Sequence, residues 1–231
     1  MSLEPPDGGR EPSRSRRRRL DAGYARFSER DRELLGFVGE QLTVTVPQLA
    51  RLCGSSYPTA RSLRLRWQRA GWVEGRPLIW RGPAFVWLTR AGVQVAGSPF
   101  RALSPSPGAA AHLSAVTEVR LLVERELGLG SWECERALAK AHWRAGGSPH
   151  LPDGVLETAR GRVAVEVELT LKGATRLDLI LAESARRYPE LWYFASPRVL
   201  PTLARLAAET PWRNITIFPF PPAAADLAEA R

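Results

Sequence analysis

Lysine is almost missing from this chain. It occurs twice, at Lys140 and Lys172, and arginine supplies the remainder of the 33 basic residues. Cysteine is as scarce: Cys53 and Cys134 stand far apart, with no CxxC pair and no Cys/His cluster. That excludes the ligand spacing of a structural zinc site and fits a reducing compartment. The three histidines, His112, His142 and His150, show no metal-ligand spacing; His112 reads as a capping or packing residue at a helix start. No apolar run approaches the length of a membrane span. The charged N-terminus is followed by no apolar signal core, which points away from secretion. The expectation is a cytoplasmic protein, associated with nucleoid or plasmid, with no membrane partner.

What is present is unevenly placed charge. Residues 1–110 hold 18 arginines and 9 acids, a net +9. Residues 111–231 hold 13 arginines, 2 lysines and 15 acids, a net of zero. A localised cationic region attracts a polyanion by releasing its condensed counterions, so nucleic acid is the leading partner. The bland reading, an arginine-rich coding style, predicts excess charge in both halves. At 231 residues and 44% hydrophobic content, the chain can bury two small cores.

Composition divides the chain into five stretches. Residues 1–27 form a basic arm with Arg16, Arg17, Arg18 and Arg19 and too little apolar surface to order itself. The arm is suited to phosphates or a minor groove, or is simply a solvated tail. Residues 28–97 are patterned, 98–111 have linker composition, 112–220 form a second patterned block, and 221–231 a tail. The fold class is a two-domain α+β or α/β chain.

In the first block, Leu34, Leu35, Phe37 and Val38 mark a helix over 31–40, followed by a β-rich stretch at 42–44. Thr45 and Gln48 form a capping box with Pro47 in the first turn, and Gly54 stops that helix. Ser55 or Ser56 caps a third helix that ends at Gly71. Ala60, Leu63 and Trp67 fall on its inner face. Tyr57, Arg61, Arg64 and Gln68 share another stripe, flanked by Arg66 and Arg69. Two short helices and a tight glycine turn are a helix-turn-helix signature. The polar stripe is what a recognition helix offers a major groove, with arginine matched to guanine; its bland reading is a solvated face. The candidate DNA-binding residues are Ser55, Ser56, Tyr57, Thr59, Arg61, Arg64 and Gln68, with the arm and two wing residues, Arg76 and Arg81, near the tips of a hairpin over 72–88. Trp67, Trp72, Trp80 and Trp87 read as core and wing packing. The order helix, helix, helix, wing over 28–97 resembles the winged helix-turn-helix superfamily, and so implies duplex DNA as partner.

The second block reads αβββαβαβ: a helix over 112–127, a strand from Ser131 leading into a loop or short helix, a hairpin of 152–158 with 163–170, a helix over 175–187, a strand at 191–195, a helix over 197–208 and a strand at 215–218. In the hairpin, Glu166 and Glu168 alternate with valines and share one sheet face, and Asp153 falls beside them if the strands pair. Converging carboxylates are tolerated when solvated, when neutralised by arginine or lysine, or when a divalent cation binds.

Pro152-Asp153 followed by Glu166-Val167-Glu168 within that element order resembles the PD-(D/E)XK nuclease-like fold. Glu168 stands where that family usually carries lysine, and Lys172 lies within reach if the strand continues. The resemblance covers about residues 112–196. It implies a mixed sheet flanked by helices, with Asp153, Glu166, Glu168 and Lys172 as catalytic residues of a nuclease. Asp153 and Glu166, with Glu118 as a weaker third, would then hold Mg²⁺. The tandem of winged helix, HLSAVTEVRLLVERE, PDGVL, VEVELTLK and ELWYFASPRV is similar to the replication-relaxation family of actinobacterial mobile elements. That similarity implies a role in transcriptional control or in replication or mobilisation of an element such as a plasmid.

Two functions follow. The first is a sequence-specific duplex-DNA-binding protein, with a non-catalytic nuclease-like domain that dimerises, binds a partner or adds DNA contacts; it requires no cofactor. The alternative is a Mg²⁺-dependent DNA endonuclease targeted by the winged helix.

Overall fold

The computed structural model describes residues 27–144, 150–212 and 214–230. The expected arm, with Arg16 to Arg19, lies outside them. The chain is mixed α and β, built on a three-stranded and a five-stranded sheet.

The first unit begins with α1 (Glu29–Glu40), capped by Ser28, whose side chain and backbone exchange hydrogen bonds with Asp31. This reciprocal box starts the helix ahead of the expected residue 31. Strand β1 (Val44–Thr45) leads into α2 (Val46–Leu52), where Thr45 and Gln48 form the expected capping box. Gly54 takes the left-handed φ of +57° that turns the chain out of α2. Ser56 caps α3 (Tyr57–Arg69), and Ala60 and Trp67 are fully buried on its inner face. Strands β2 (Val73–Pro77) and β3 (Ala84–Leu88) form an antiparallel hairpin, and the sheet order is β1-β3-β2. Helix α4 (Arg90–Ala96), capped by Thr89, packs on α1.

Residues 98–106 are irregular, and then Ser106 caps α5 (Pro107–Arg120). The expected linker is therefore shorter than its composition suggested. Ser-Pro at 106–107 is a cap followed by a first-turn proline, both favourable at a helix start. Helix α5 widens into a π-helical segment, Leu121–Glu126. Strand β4 (Ser131–Cys134) is followed by α6 (Glu135–Arg144), a full helix where the sequence left a loop or short helix open. Then come β5 (Gly154–Thr158), β6 (Gly161–Glu168), α7 (Ala174–Arg187), β7 (Glu190–Ala195), α8 (Leu200–Glu209) and β8 (Ile215–Pro219). The sheet order is β4-β5-β6-β7-β8, antiparallel through β6 and parallel from β6 to β8. The parallel pairs are joined through α7 and α8, as crossover geometry requires. A 3₁₀ turn over Ala224–Ala230 occupies the expected tail.

The sheet is covered on both faces. Val163, Val165 and Val167 of β6 pack with Val116 and Val119 of α5. Ala164 and Tyr193 pack with Leu177 and Leu181 of α7 and Leu203 of α8. Gly154 lies under the Trp132 indole, so closely that a Cβ would come within 2.0 Å of the ring.

The two units are bolted together by polar contacts. Arg120, 4% exposed, donates to Glu40, Gln41 and Glu124, and its guanidinium lies 4.1 Å from the Phe37 ring centroid. Gln48, already used in its cap, also donates to the Ser114 carbonyl at 2.7 Å. Arg51 of α2 pairs with Glu118 and Glu126. Among the described residues, no helix is long and apolar enough to cross a membrane.

Candidate functional site

Two sets of charged residues stand out, one exposed and one enclosed. The exposed set lies on α3 and the β2–β3 hairpin. Residues 55–90 contain seven arginines and one acid, Glu74. Ser56, Tyr57, Thr59, Arg61, Gln68 and Arg69 of the α3 region are exposed, as are Arg76, Trp80 and Arg81 of the hairpin; Ser55 is half-buried. Arg61, Arg69, Arg76 and Arg81 make no ion pair with a described carboxylate.

The other arginines of α3 serve the fold. Arg64 is half-buried and donates to the Gly75 carbonyl at 3.4 Å, tying helix to hairpin. Arg66 pairs with Asp31, which also accepts from Trp67 Nε1 at 2.7 Å. Burial opposes ionisation of Asp31, but hydrogen bonds from Ser28, Trp67 and Arg66 outweigh it and hold the carboxyl below its ordinary value. The stripe expected from periodicity thus divides: Arg61 and Gln68 face out, and Arg64 is spent on packing.

The tryptophans divide too. Trp67 and Trp87 are buried, and Trp72 stacks edge-on against Phe27 at 5.3 Å. Trp80 corrects the packing expectation: it sits at the hairpin tip, 90% exposed. Two strands alone offer a turn residue no second layer to pack on.

The enclosed set lies where β5 begins and β6 ends. The antiparallel register brings Asp153 beside the end of β6, and its Oδ2 accepts from the Val167 amide at 2.8 Å. Its Oδ1 is 2.8 Å from Nε2 of His112 on α5. Glu166 Oε1 is 2.7 Å from Nε2 of His150. Lys172 Nζ is 2.5 Å from Glu168 Oε2. Asp153, Glu166, Glu168 and Lys172 therefore converge. Glu118 does not join them: it pairs with Arg51 at the junction of the two units.

Period-2 alternation placed Glu166 and Glu168 on one face, and they are there, but that face is covered; each is 3% exposed. Of the three ways to tolerate the carboxylates, solvation is removed. Burial pushes Glu166 up to about 7, against the His150 hydrogen bond that lowers it, and the Asp153 charge adds to the rise. The Glu166 hydrogen bond raises His150, and the Asp153 hydrogen bond raises His112. Burial and the nearby Asp153 charge raise Glu135, at the start of α6. The His150–Glu166 pair thus titrates as a unit, with both groups raised from their ordinary values.

Tyr193 lies opposite Glu166 in the parallel register, fully buried, with no hydrogen-bond partner for its hydroxyl among the described residues. Burial, then the charges of Glu166, Glu168 and Asp153, push its pKa far up. His112, His150, Glu135 and Tyr193 escaped sequence reasoning. Their partners lie up to 41 residues away, as His112 and Asp153 do, and no local spacing signals that.

As arranged, these carboxylates are held by the protein's own donors. Both Asp153 oxygens accept hydrogen bonds, Glu166 is hydrogen-bonded to His150, and Glu168 faces the Lys172 ammonium. Among the described residues, no group of three or more His, Cys, Asp or Glu is placed to hold a metal. Compared with protein-family models, with curated proteins and with solved structures, the chain matches none.

Proposed function

We propose that this protein binds double-stranded DNA through α3 and the β2–β3 hairpin, with the C-terminal unit as a non-catalytic, nuclease-like scaffold. The observation that carries this is the set of exposed arginines, Arg61, Arg69, Arg76 and Arg81, that no described carboxylate neutralises. A guanidinium without a carboxylate partner gains most from a phosphate, because the bond displaces condensed counterions and breaks no ion pair. The α3 N-terminus, with Ser56, Tyr57 and Thr59, enters the major groove first, and Arg61 and Gln68 follow on the same helix. The hairpin arginines hold the backbone alongside. Neutralised carboxylates in the second unit suit a scaffold better than a centre that must present free oxygens. The resemblance to the replication-relaxation family extends the proposal to control, replication or mobilisation of a mobile element, acting in the cytoplasm where that DNA resides. A homodimer on paired half-sites is part of the same reading.

A mobility-shift titration from about 50 to 200 mM salt tests it, since affinity should fall steeply with salt. Two bound species on a palindromic site would mark the dimer. In parallel, supercoiled plasmid is incubated with Mg²⁺ or Mn²⁺ and either wild type, Asp153→Ala or Glu166→Ala. Shifted but intact plasmid is the expected result. No shift at the lowest salt sinks the DNA reading. Nicking by wild type, lost in both variants, replaces the scaffold with the endonuclease.

A further inference from the structure

The hairpin tip places a tryptophan, Trp80, in water, as the end of α6 does Trp143. The Gly82 amide donates to the Ile79 carbonyl at 2.9 Å, closing a four-residue turn with Trp80 and Arg81 at its two corners. Arg81 takes φ of +56°, a conformation that side chains other than glycine seldom adopt. The turn is anchored from below by Leu78, which packs on Phe85 and Trp87. Trp80 is 90% exposed and the adjoining Ile79 39% exposed. Tryptophan is among the most buried residues on average, so one held at the outermost corner of an anchored turn is placed there for a contact outside the fold.

The surroundings state what that contact is. Arg81 follows Trp80 in the chain, and Arg76 lies exposed on the strand leading to the tip, its guanidinium 5.9 Å from the Trp87 ring. Glu74 is the only acid among residues 55–90. An exposed aromatic side chain on a hairpin that also exposes Arg76 and Arg81 complements a partner with flat π faces and negative charge together. Nucleic-acid bases with their phosphates are that partner. An apolar protein surface offers nothing to the arginines.

We infer that Trp80 stacks on a base at a step that is unpaired or readily unstacked, so that the hairpin favours interrupted duplex (a mismatch, a gap, a single-strand junction) over continuous duplex. This rests on the DNA-binding reading above. Stacked base pairs leave no space for an indole, so insertion must open a step first. That cost is least where pairing is already broken. The cationic helix supplies affinity for any duplex, and the tip supplies the preference.

The test uses the full chain with two duplexes of one sequence, one continuous and one with a central mismatch flanked by 2-aminopurine. Wild type should bind the mismatched duplex about tenfold more tightly, the size of one aromatic–base stack, and brighten the 2-aminopurine. Trp80→Ala should lose both the preference and the brightening and keep the wild-type melting temperature. Trp80→Phe should restore much of the preference. Wild type binding both duplexes equally overturns the inference and leaves the DNA reading standing. So does Trp80→Ala with an unchanged ratio, even if both affinities fall. A lowered melting temperature in Trp80→Ala and Trp80→Phe alike would show a packing role and overturn it as well. Wild type that binds neither duplex removes the inference and the DNA reading together.

Discussion

The hairpin unit and the five-stranded unit use charge in opposite ways. In the first, Arg61, Arg69, Arg76 and Arg81 stand exposed without a described carboxylate partner, and one buried acid, Asp31, is satisfied by Ser28, Arg66 and Trp67. In the second, Asp153, Glu166 and Glu168 are enclosed, and each meets His112, His150 or Lys172. Exposed cations cost the fold little and remain available to a partner. Enclosed carboxylates cost desolvation and must be matched inside the fold. The net +6 of residues 27–106, 11 arginines against 5 acids, and the net zero of residues 111–231 are thus more than a difference in composition.

The most forceful way to break the contrast is to cut the joint between the units. Arg120 is deeply buried and, among the described residues, bonded to carboxylates of each unit, Glu40 and Glu124. Arg120→Ala leaves those acids facing a void. The expected loss is about 3–5 kcal/mol, read by urea denaturation. An unchanged midpoint would mean that the units do not depend on this contact.

The next effect is on pH. Glu166, raised to about 7 from an ordinary 4.5, binds its proton more tightly folded than unfolded, and His150, His112 and Glu135 are raised too. Groups raised on folding stabilise fully below their unfolded pKa, and that contribution is lost as pH rises through the folded one. Melting temperature should therefore fall from about pH 5 to 8, by a loss on the order of 2 kcal/mol. Asp31 has the opposite sign: its contribution is lost as pH falls below the ordinary carboxylate range. Glu166→Gln, which cannot ionise, should flatten the neutral-range slope. If the slope survives intact, Glu166 does not set it.

A smaller effect separates two neighbours on α3. Arg61→Ala should weaken DNA binding about tenfold and leave melting unchanged, consistent with roughly 1–3 kcal/mol for a base-reading arginine. Arg64→Ala should lower melting, because it releases the Gly75 carbonyl that joins helix to hairpin. If the two variants behave alike, the division of the helix face into binding and packing arginines is wrong.

Much of this architecture is local and could be read directly. The Thr45–Gln48 box, the Ser56 cap and the turn at Gly54 follow from contacts three or four residues apart. Alternation along β6 put Glu166 and Glu168 on one face because side-chain direction has period two. Whether that face meets water depends on α7 and α8, which no period encodes. The histidine partners and the Arg120 joint join residues 16 to 80 positions apart, and only the folded chain brings them together. Ser106-Pro107 shows the reverse failure: small polar residues that look like a linker are here a helix cap. Trp80 shows that an aromatic residue in a strand pattern need not be in a core.

The smallest expected effect is the sharpest control on the contrast. Arg205 on α8 is exposed, as Arg61 and Arg69 of α3 are, but it pairs with Glu209 one turn on, at 3.1 Å. Exposed helical pairs of this kind contribute about 0.3–0.5 kcal/mol, so Arg205→Ala should barely move the melting temperature. It should also leave DNA affinity and its salt slope unchanged, whereas each phosphate-binding arginine lost from the hairpin reduces that slope by about one. Equal losses from Arg205→Ala and Arg81→Ala would mean that affinity follows total charge. Loss from Arg81→Ala alone would mean that it follows arginines left without a partner by the fold, which is the distinction between the two units.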